Sequence, residues 1–127
     1  MPCPHRQESD IRPFKLKIGQ LEYEVVTDPD EVESNIADDS LGETRHLEGK
    51  ILLRTRHRGA PIPEDRVVET LVHELLHAAV FVSGIRSDEE ITSELEERMV
   101  SAVTGPLYAA LTTSRELRNH LRGMAVS

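Results

Sequence analysis

Two histidines and a glutamate fall within five residues, His73-Glu74-Leu75-Leu76-His77, and these side chains are the ones best suited to chemistry. On an α-helix, residues four apart differ in direction by only about 40° and lie one turn apart on the same face. His73 and His77 can therefore close on one metal ion, each through a ring nitrogen about 2.0–2.1 Å away. Glu74 points about 100° around the helix from His73, toward the rim of such a site. From there it can hold and deprotonate a metal-activated water without being a ligand, which is the chemistry of a hydrolase. The surroundings strengthen the motif. Thr70-Leu71-Val72 and Ala78-Ala79-Val80 carry no charge, and the motif supplies the only ionisable side chains between Thr70 and Gly84. Polar groups on such a helix are costly unless paired or metal-bound.

Two histidines hold catalytic zinc poorly, so a third protein ligand is expected from elsewhere in the fold. The next amphipathic stretch follows after a short loop and should pack against the first as an antiparallel helix. On its helical wheel Glu96 falls inside the apolar stripe, between Leu95 and Met99/Val103, while Glu97 falls largely outside it. A carboxylate on a buried face needs a partner. Glu96 is therefore the expected ligand, with Glu97 in reserve and Asp88 or Glu90 behind it. His46, His57 and His120 are expected to be ordinary surface histidines. Cys3 and His5 could hold a metal only as two ligands on a polar tail, which is a weak set.

The elements that must position these groups follow from the pattern. Residues 1–12, polar and proline-containing, read as a flexible arm, and 13–127 as a single α+β domain. Phe14 to Val25 alternates apolar and charged residues about Gly19-Gln20, which predicts a β-hairpin with lysines facing glutamates. Thr27 to Ser40 is acidic and lacks calcium-loop spacing, so a solvated loop with at most a helical turn is expected. Gly42 to His46, a turn at Glu48-Gly49 and a buried strand Ile51-Leu52-Leu53 should complete a small antiparallel sheet of three or four strands. Arg58 to Pro63 reads as a loop. The first long helix should run from about Glu64 to Ser83 and stop at Gly84. A capping box at Ser87/Glu90 would start the second, with Ile91, Leu95, Met99, Val103 and Leu107 buried and a break near Gly105-Pro106. Thr113 and Glu116 would cap a short last helix.

Composition narrows the partners. The 127 residues carry a net charge of −8, with 30% charged and 3% aromatic residues. That argues against nucleic acid and anionic membranes, either of which favours a basic footprint. No apolar run approaches the ~18 residues of a membrane span. One cysteine cannot form an internal disulfide, so a cytoplasmic protein is the simplest expectation.

Val72-His73-Glu74-Leu75-Leu76-His77-Ala78 followed by Glu96-Glu97 resembles the zincin pattern with a glutamate third ligand on the next helix. More closely, Glu69 to Leu117 resembles the small H-E-x-x-H proteins of phages and prophages, through these residues with Gly105-Pro106 and Leu107-Tyr108. Those proteins are similar in layout to ImmA/IrrE-type metallopeptidases, whose Glu-Ala-Asn-x-Phe-Ala signature is absent here. The resemblance implies a minimal zincin-like domain, one zinc ion per chain and a bacterial or phage-infected cytoplasm. It strengthens zinc binding more than proteolysis. The function expected is zinc-dependent peptide-bond hydrolysis, with Glu74 as general base. Tyr108 is the expected oxyanion helper, with Arg98 and His120 behind it. An extended peptide or protein substrate would pair with the strand Ile51 to Arg54. The alternatives are a non-catalytic zinc-binding regulatory protein on the same fold, and a metal-free helical hairpin.

Overall fold

The alternating stretch from Phe14 forms a β-hairpin in the computed structural model, which describes residues 11–124. The Cys3/His5 pair lies outside those residues. β1 (Phe14–Ile18) and β2 (Leu21–Val26) pair antiparallel, with Lys15 opposite Glu24 and Lys17 opposite Glu22. The expected charge complementarity therefore runs across the ladder. Gly19 turns the chain with φ 62°, and a Cβ there would lie 2.6 Å from Val82 Cγ1. The hairpin tip thus abuts the end of the long helix that follows, at a position where only glycine fits.

The acidic stretch is more ordered than its composition suggests. It forms α1 (Pro29–Asn35), with the Asp28 carboxylate accepting from Glu31 N at 3.0 Å and proline in the first turn. Val32 and Ile36 cluster with Val26 of β2 and with Leu52. The chain then makes β3 (Gly42–Arg45) and β4 (Lys50–Leu53) as an antiparallel pair. The sheet order is β1-β2-β4-β3, and β2 and β4 run parallel. The sheet is thus mixed rather than wholly antiparallel. Helix α1 carries the chain from the end of β2 to the outer strand β3, which runs back antiparallel, and β4 then enters between β3 and β2, parallel to β2. The helix covers one face of the sheet. The other face carries Tyr23, Val25, Ile51 and Leu53, packed with Val67 and Ala78 of the long helix. Cover on both faces explains why β4 reads as an unbroken apolar run.

Arg54, at the end of β4, is only 3% exposed. It ties down the segment between α1 and β3. Nε donates to Ser40 O at 2.7 Å, Nη2 to Ala37 O at 2.9 Å, and Nη1 pairs with Glu33. Arg54→Ala should destabilise the fold by about 1–3 kcal/mol, since it removes a buried side chain and leaves the carbonyls of Ala37 and Ser40 without their donor. Urea denaturation measures this. A loss well below 1 kcal/mol would mean that the segment holds without its arginine.

Beyond Arg54 the expected loop contains a short ribbon, β5 (Arg56–His57) with β6 (Ala60–Pro61). Helix α2 then spans Glu64–Ser83 and ends at Gly84 with φ 80°, as the sequence predicts. A 3₁₀ turn (Ile85–Ser87) leads to α3 (Ser93–Thr113), and α4 (Arg115–Met124) follows. The start of α3 differs from expectation. Thr92, not Ser87, is the N-cap and accepts from Leu95 N at 3.0 Å, while Ser87 Oγ donates back to Gly84 O. Nor does Gly105-Pro106 break the helix. The proline removes one bond, to the carbonyl of exposed Ala102, where water can replace it. Ser114 rather than Thr113 caps α4, accepting from Leu117 N at 3.1 Å.

The largest difference lies in how α3 is rotated. Its buried residues are Glu96, Val100 and Thr104, whereas Met99, Val103 and Leu107 of the expected buried stripe are exposed. The helix turns its polar groups toward α2 because the histidines there offer partners, and this leaves the apolar stripe outermost. Among the described residues, no helix is long and apolar enough to cross a membrane.

Candidate metal centre

Helices α2 and α3 form the antiparallel pair expected, as their cross-contacts show. His77 meets Glu96 and Glu97, while His73, one turn earlier, meets Thr104, two turns later on α3. The two imidazoles lie edge to face, with ring centroids 4.9 Å apart. One ligand atom from each of His73, His77 and Glu97 falls within 4.8 Å of the others. The Nε2 atoms face the Glu97 carboxylate, 3.5 Å from His73 and 2.9 Å from His77. Ser101 Oγ donates to Glu97 Oε2 at 3.0 Å from one turn further along. Burial alone would raise the Glu97 pKa. The Ser101 hydroxyl and the two histidines outweigh it and hold the carboxyl below its ordinary range.

Glu96 occupies a different place from the one expected. It is 6% exposed, and its Oε2 lies 2.7 Å from Nδ1 of His77, on the ring edge opposite the cluster. Its other oxygen pairs with Arg86 Nε at 3.2 Å but accepts no hydrogen bond. The wheel reading of Glu96 as buried is correct. The position that joins the two Nε2 atoms, however, is the more open Glu97, whose side chain is 58% exposed. The hairpin seam is deepest at Glu96, and the histidines turn Nε2 outward to the seam's rim. Thr104 does for His73 what Glu96 does for His77. Its hydroxyl donates to Val100 O at 2.6 Å and can accept from His73 Nδ1–H at 3.4 Å. Both rings then have Nδ1 occupied and Nε2 directed at the same point. Such partners commonly orient and polarise metal-bound histidines.

Glu74 sits beside this cluster, 8% exposed. Thr44 Oγ1 of β3 lies 2.7 Å from Glu74 Oε1 and 3.2 Å from its backbone carbonyl. Glu74 Oε2 has no hydrogen-bond partner among the described residues and is not sealed from solvent. The strand can approach this closely because of Gly42. A Cβ there would lie 2.8 Å from Thr70 Cγ2 and 3.3 Å from Glu74 Cγ. Gly42, Thr44 and His46 alternate along β3 and its end, and they advance beside α2 past Thr70, Glu74 and Phe81. From Gly42 to Thr44 strand and helix keep step, since two strand residues and one helix turn cover about 6.7 Å and 5.4 Å, and Phe81 lies about two turns beyond Glu74.

These elements enclose a cleft of about 1000 Å³, with β3 on one wall, α3 on the other, and His73, Glu74 and His77 on its floor. β3 is an outer strand of the sheet, whereas β4 is paired on both sides. The strand Ile51 to Arg54 therefore has no edge to offer a substrate, and the available edge is Gly42–Arg45.

Tyr108 does not line the cleft. Partial burial, with the carboxylates of Asp65, Glu69 and Glu64, raises its pKa, which places it nearer the first turns of α2. Arg98 does not line the cleft but a shallow depression on the other side of Glu97 and Ser101, and His120 is exposed on α4. Asp88 and Glu90 are not in the cluster. Asp88 accepts from Glu90 N in the loop before α3. His57 bonds Asp38 O at 2.7 Å, away from the cleft. His46 departs from the surface role expected of it and lines the cleft with Arg86. The alternation with Gly42 and Thr44 was a legible signal for Thr44 and His46. Nothing local marked Thr104 or Arg86.

No family model, curated protein or solved structure matches the chain.

Proposed function

We propose that the protein is a zinc-dependent metallopeptidase, with His73, His77 and Glu97 as the metal ligands and Glu74 as the general base. The observation that carries this reading is the convergence of those three side chains beside a glutamate held by the edge strand. The donor set suits zinc, because two imidazole nitrogens and one carboxylate leave a fourth position open. The orientation of both rings through Nδ1 fits the same role. Bound there, zinc would supply Lewis-acid polarisation of a carbonyl and a water acidic enough to deprotonate near neutral pH. The resemblance of the helix motif to zincins with a glutamate ligand agrees with this set.

The protein's own groups account for the rest of the reaction. Thr44 fixes one Glu74 oxygen and leaves the other to accept a proton from water in the cleft. As the water oxygen bonds to the carbonyl carbon, that proton moves to Glu74. As the carbon–nitrogen bond breaks, Glu74 returns it to the departing amine. An extended peptide can add to the open edge of β3, whose backbone groups would hold it along the cleft by β-strand addition.

Elemental analysis and thermal melts test the metal. One zinc per chain is expected, and free zinc at a hundredfold excess over Kd should stabilise the fold by about 2.7 kcal/mol. Chelation should reverse that shift. A protein that takes up no zinc and melts identically with and without chelator would end this proposal.

A further inference from the structure

His46 is held more firmly than a surface histidine needs to be. Its ring stacks on Phe81, with centroids 4.3 Å apart and planes 9° from parallel. Its Nδ1 lies 3.3 Å from the hydroxyl of Tyr23, whose side chain is wholly buried. That nitrogen is the only hydrogen-bond partner of the phenol among the described residues. A buried phenol left without an acceptor is costly, so the hydroxyl donates and Nδ1 accepts. The ring proton must then sit on Nε2, on the side of the ring away from the core. Nε2 has no hydrogen-bond partner among the described residues and is not sealed from solvent, and His46 lines the cleft.

Resting on the metallopeptidase reading, we infer that His46 is a catalytic hydrogen-bond donor, whose Nε2–H meets the substrate carbonyl oxygen as negative charge builds there. A fixed neutral donor aimed at a developing oxyanion stabilises the transition state more than the ground state. No proton is transferred from His46, so it needs no reprotonation between turnovers. Burial first, and then the Arg86 guanidinium, lower its pKa against an opposing pull from Glu96, a direction that favours the neutral ring. Tyr23 is a positioning residue in this scheme, since it selects the tautomer from within the core. The place foreseen for Tyr108 is thereby taken by a residue at the end of the edge strand.

The test has one arm that needs neither zinc nor activity. Long-range ¹⁵N–¹H spectra of the full chain near neutral pH should show His46 protonated on Nε2 alone. Tyr23→Phe should relax that exclusive protonation toward the tautomer mixture of a free histidine. A proton on Nδ1 in the wild type overturns the proposal. In the second arm, zinc-loaded His46→Phe keeps an aromatic ring against Phe81 but has no donor. It should lose about 10²-fold in kcat, with little change in KM and none in zinc content. His46→Gln, whose side-chain amide can donate from a similar place, should recover part of that loss. If His46→Phe stays within about twofold of wild-type kcat while Glu74→Gln is inactive, His46 has no catalytic part but the peptidase reading stands. If the zinc-loaded wild type hydrolyses no peptide, both fall together.

Discussion

Glu74→Gln should keep its zinc and lose about 10²–10⁴-fold in kcat. The substitution isolates the proton-transfer role because little else depends on the charge of Glu74. The residue is not among the three converging ligand groups. Its contact with the sheet is a hydrogen bond from Thr44 Oγ1, and the amide oxygen of glutamine can accept the same bond. The buried volume is unchanged, so the fold and the edge strand should stay in place. What disappears is the basic oxygen on the cleft side. Kinetics on an unstructured peptide, with zinc measured on the same sample, separate the outcomes. Full activity in the variant would assign the base elsewhere. Lost activity with lost zinc would mean that Glu74 supports the metal site rather than the chemistry.

The second large effect distinguishes the adjacent glutamates. Glu97→Ala should abolish tight zinc binding, whereas Glu96→Gln should weaken it by about 10–100-fold, as expected for a group that orients a ligand. Glu97 faces both Nε2 atoms, and its removal leaves two histidines as the only protein ligands. Glu96 acts through Nδ1 of His77, which a glutamine oxygen can still accept from, though without the charge that strengthens the bond. Arg86 would keep a neutral partner in place of a carboxylate. Competition against a chelator of known affinity reads both constants. The reverse order, with zinc retained in Glu97→Ala and lost in Glu96→Gln, would return the ligand role to Glu96.

These two residues show what a helical wheel resolves. The wheel ranks positions by depth, and Glu96 is indeed the deeper of the pair. It does not say which nitrogen of a facing imidazole a carboxylate will meet. That depends on the rotation of α3 about its axis, and the helix chose to bury Glu96, Val100 and Thr104 in place of Met99 and Val103. Apolar burial and polar pairing compete for one face of the helix. Two histidines on α2 make polar partners the better neighbours there, since their ring nitrogens would otherwise be left unpaired at a half-buried seam.

Local sequence determined much of this protein. The alternation about Gly19 specified the hairpin and its Lys–Glu register. The helix from Glu64 to Gly84 was legible to the residue, because a proline, an acidic first turn and a left-handed glycine mark its ends. The juxtaposition of His73 and His77 with Glu74 follows from helix periodicity alone. Tertiary structure decided everything that joins distant segments. It set the parallel pairing of β2 with β4, made β3 the open edge, and brought Thr44 onto Glu74 through the gap at Gly42. It also brought Glu97 to the histidines and joined His46 to a buried tyrosine. The physical reason is one of range. Dihedral preferences and side-chain periodicity act within a few residues, whereas strand order, helix rotation and the choice of polar partner are settled by packing and desolvation over the whole fold.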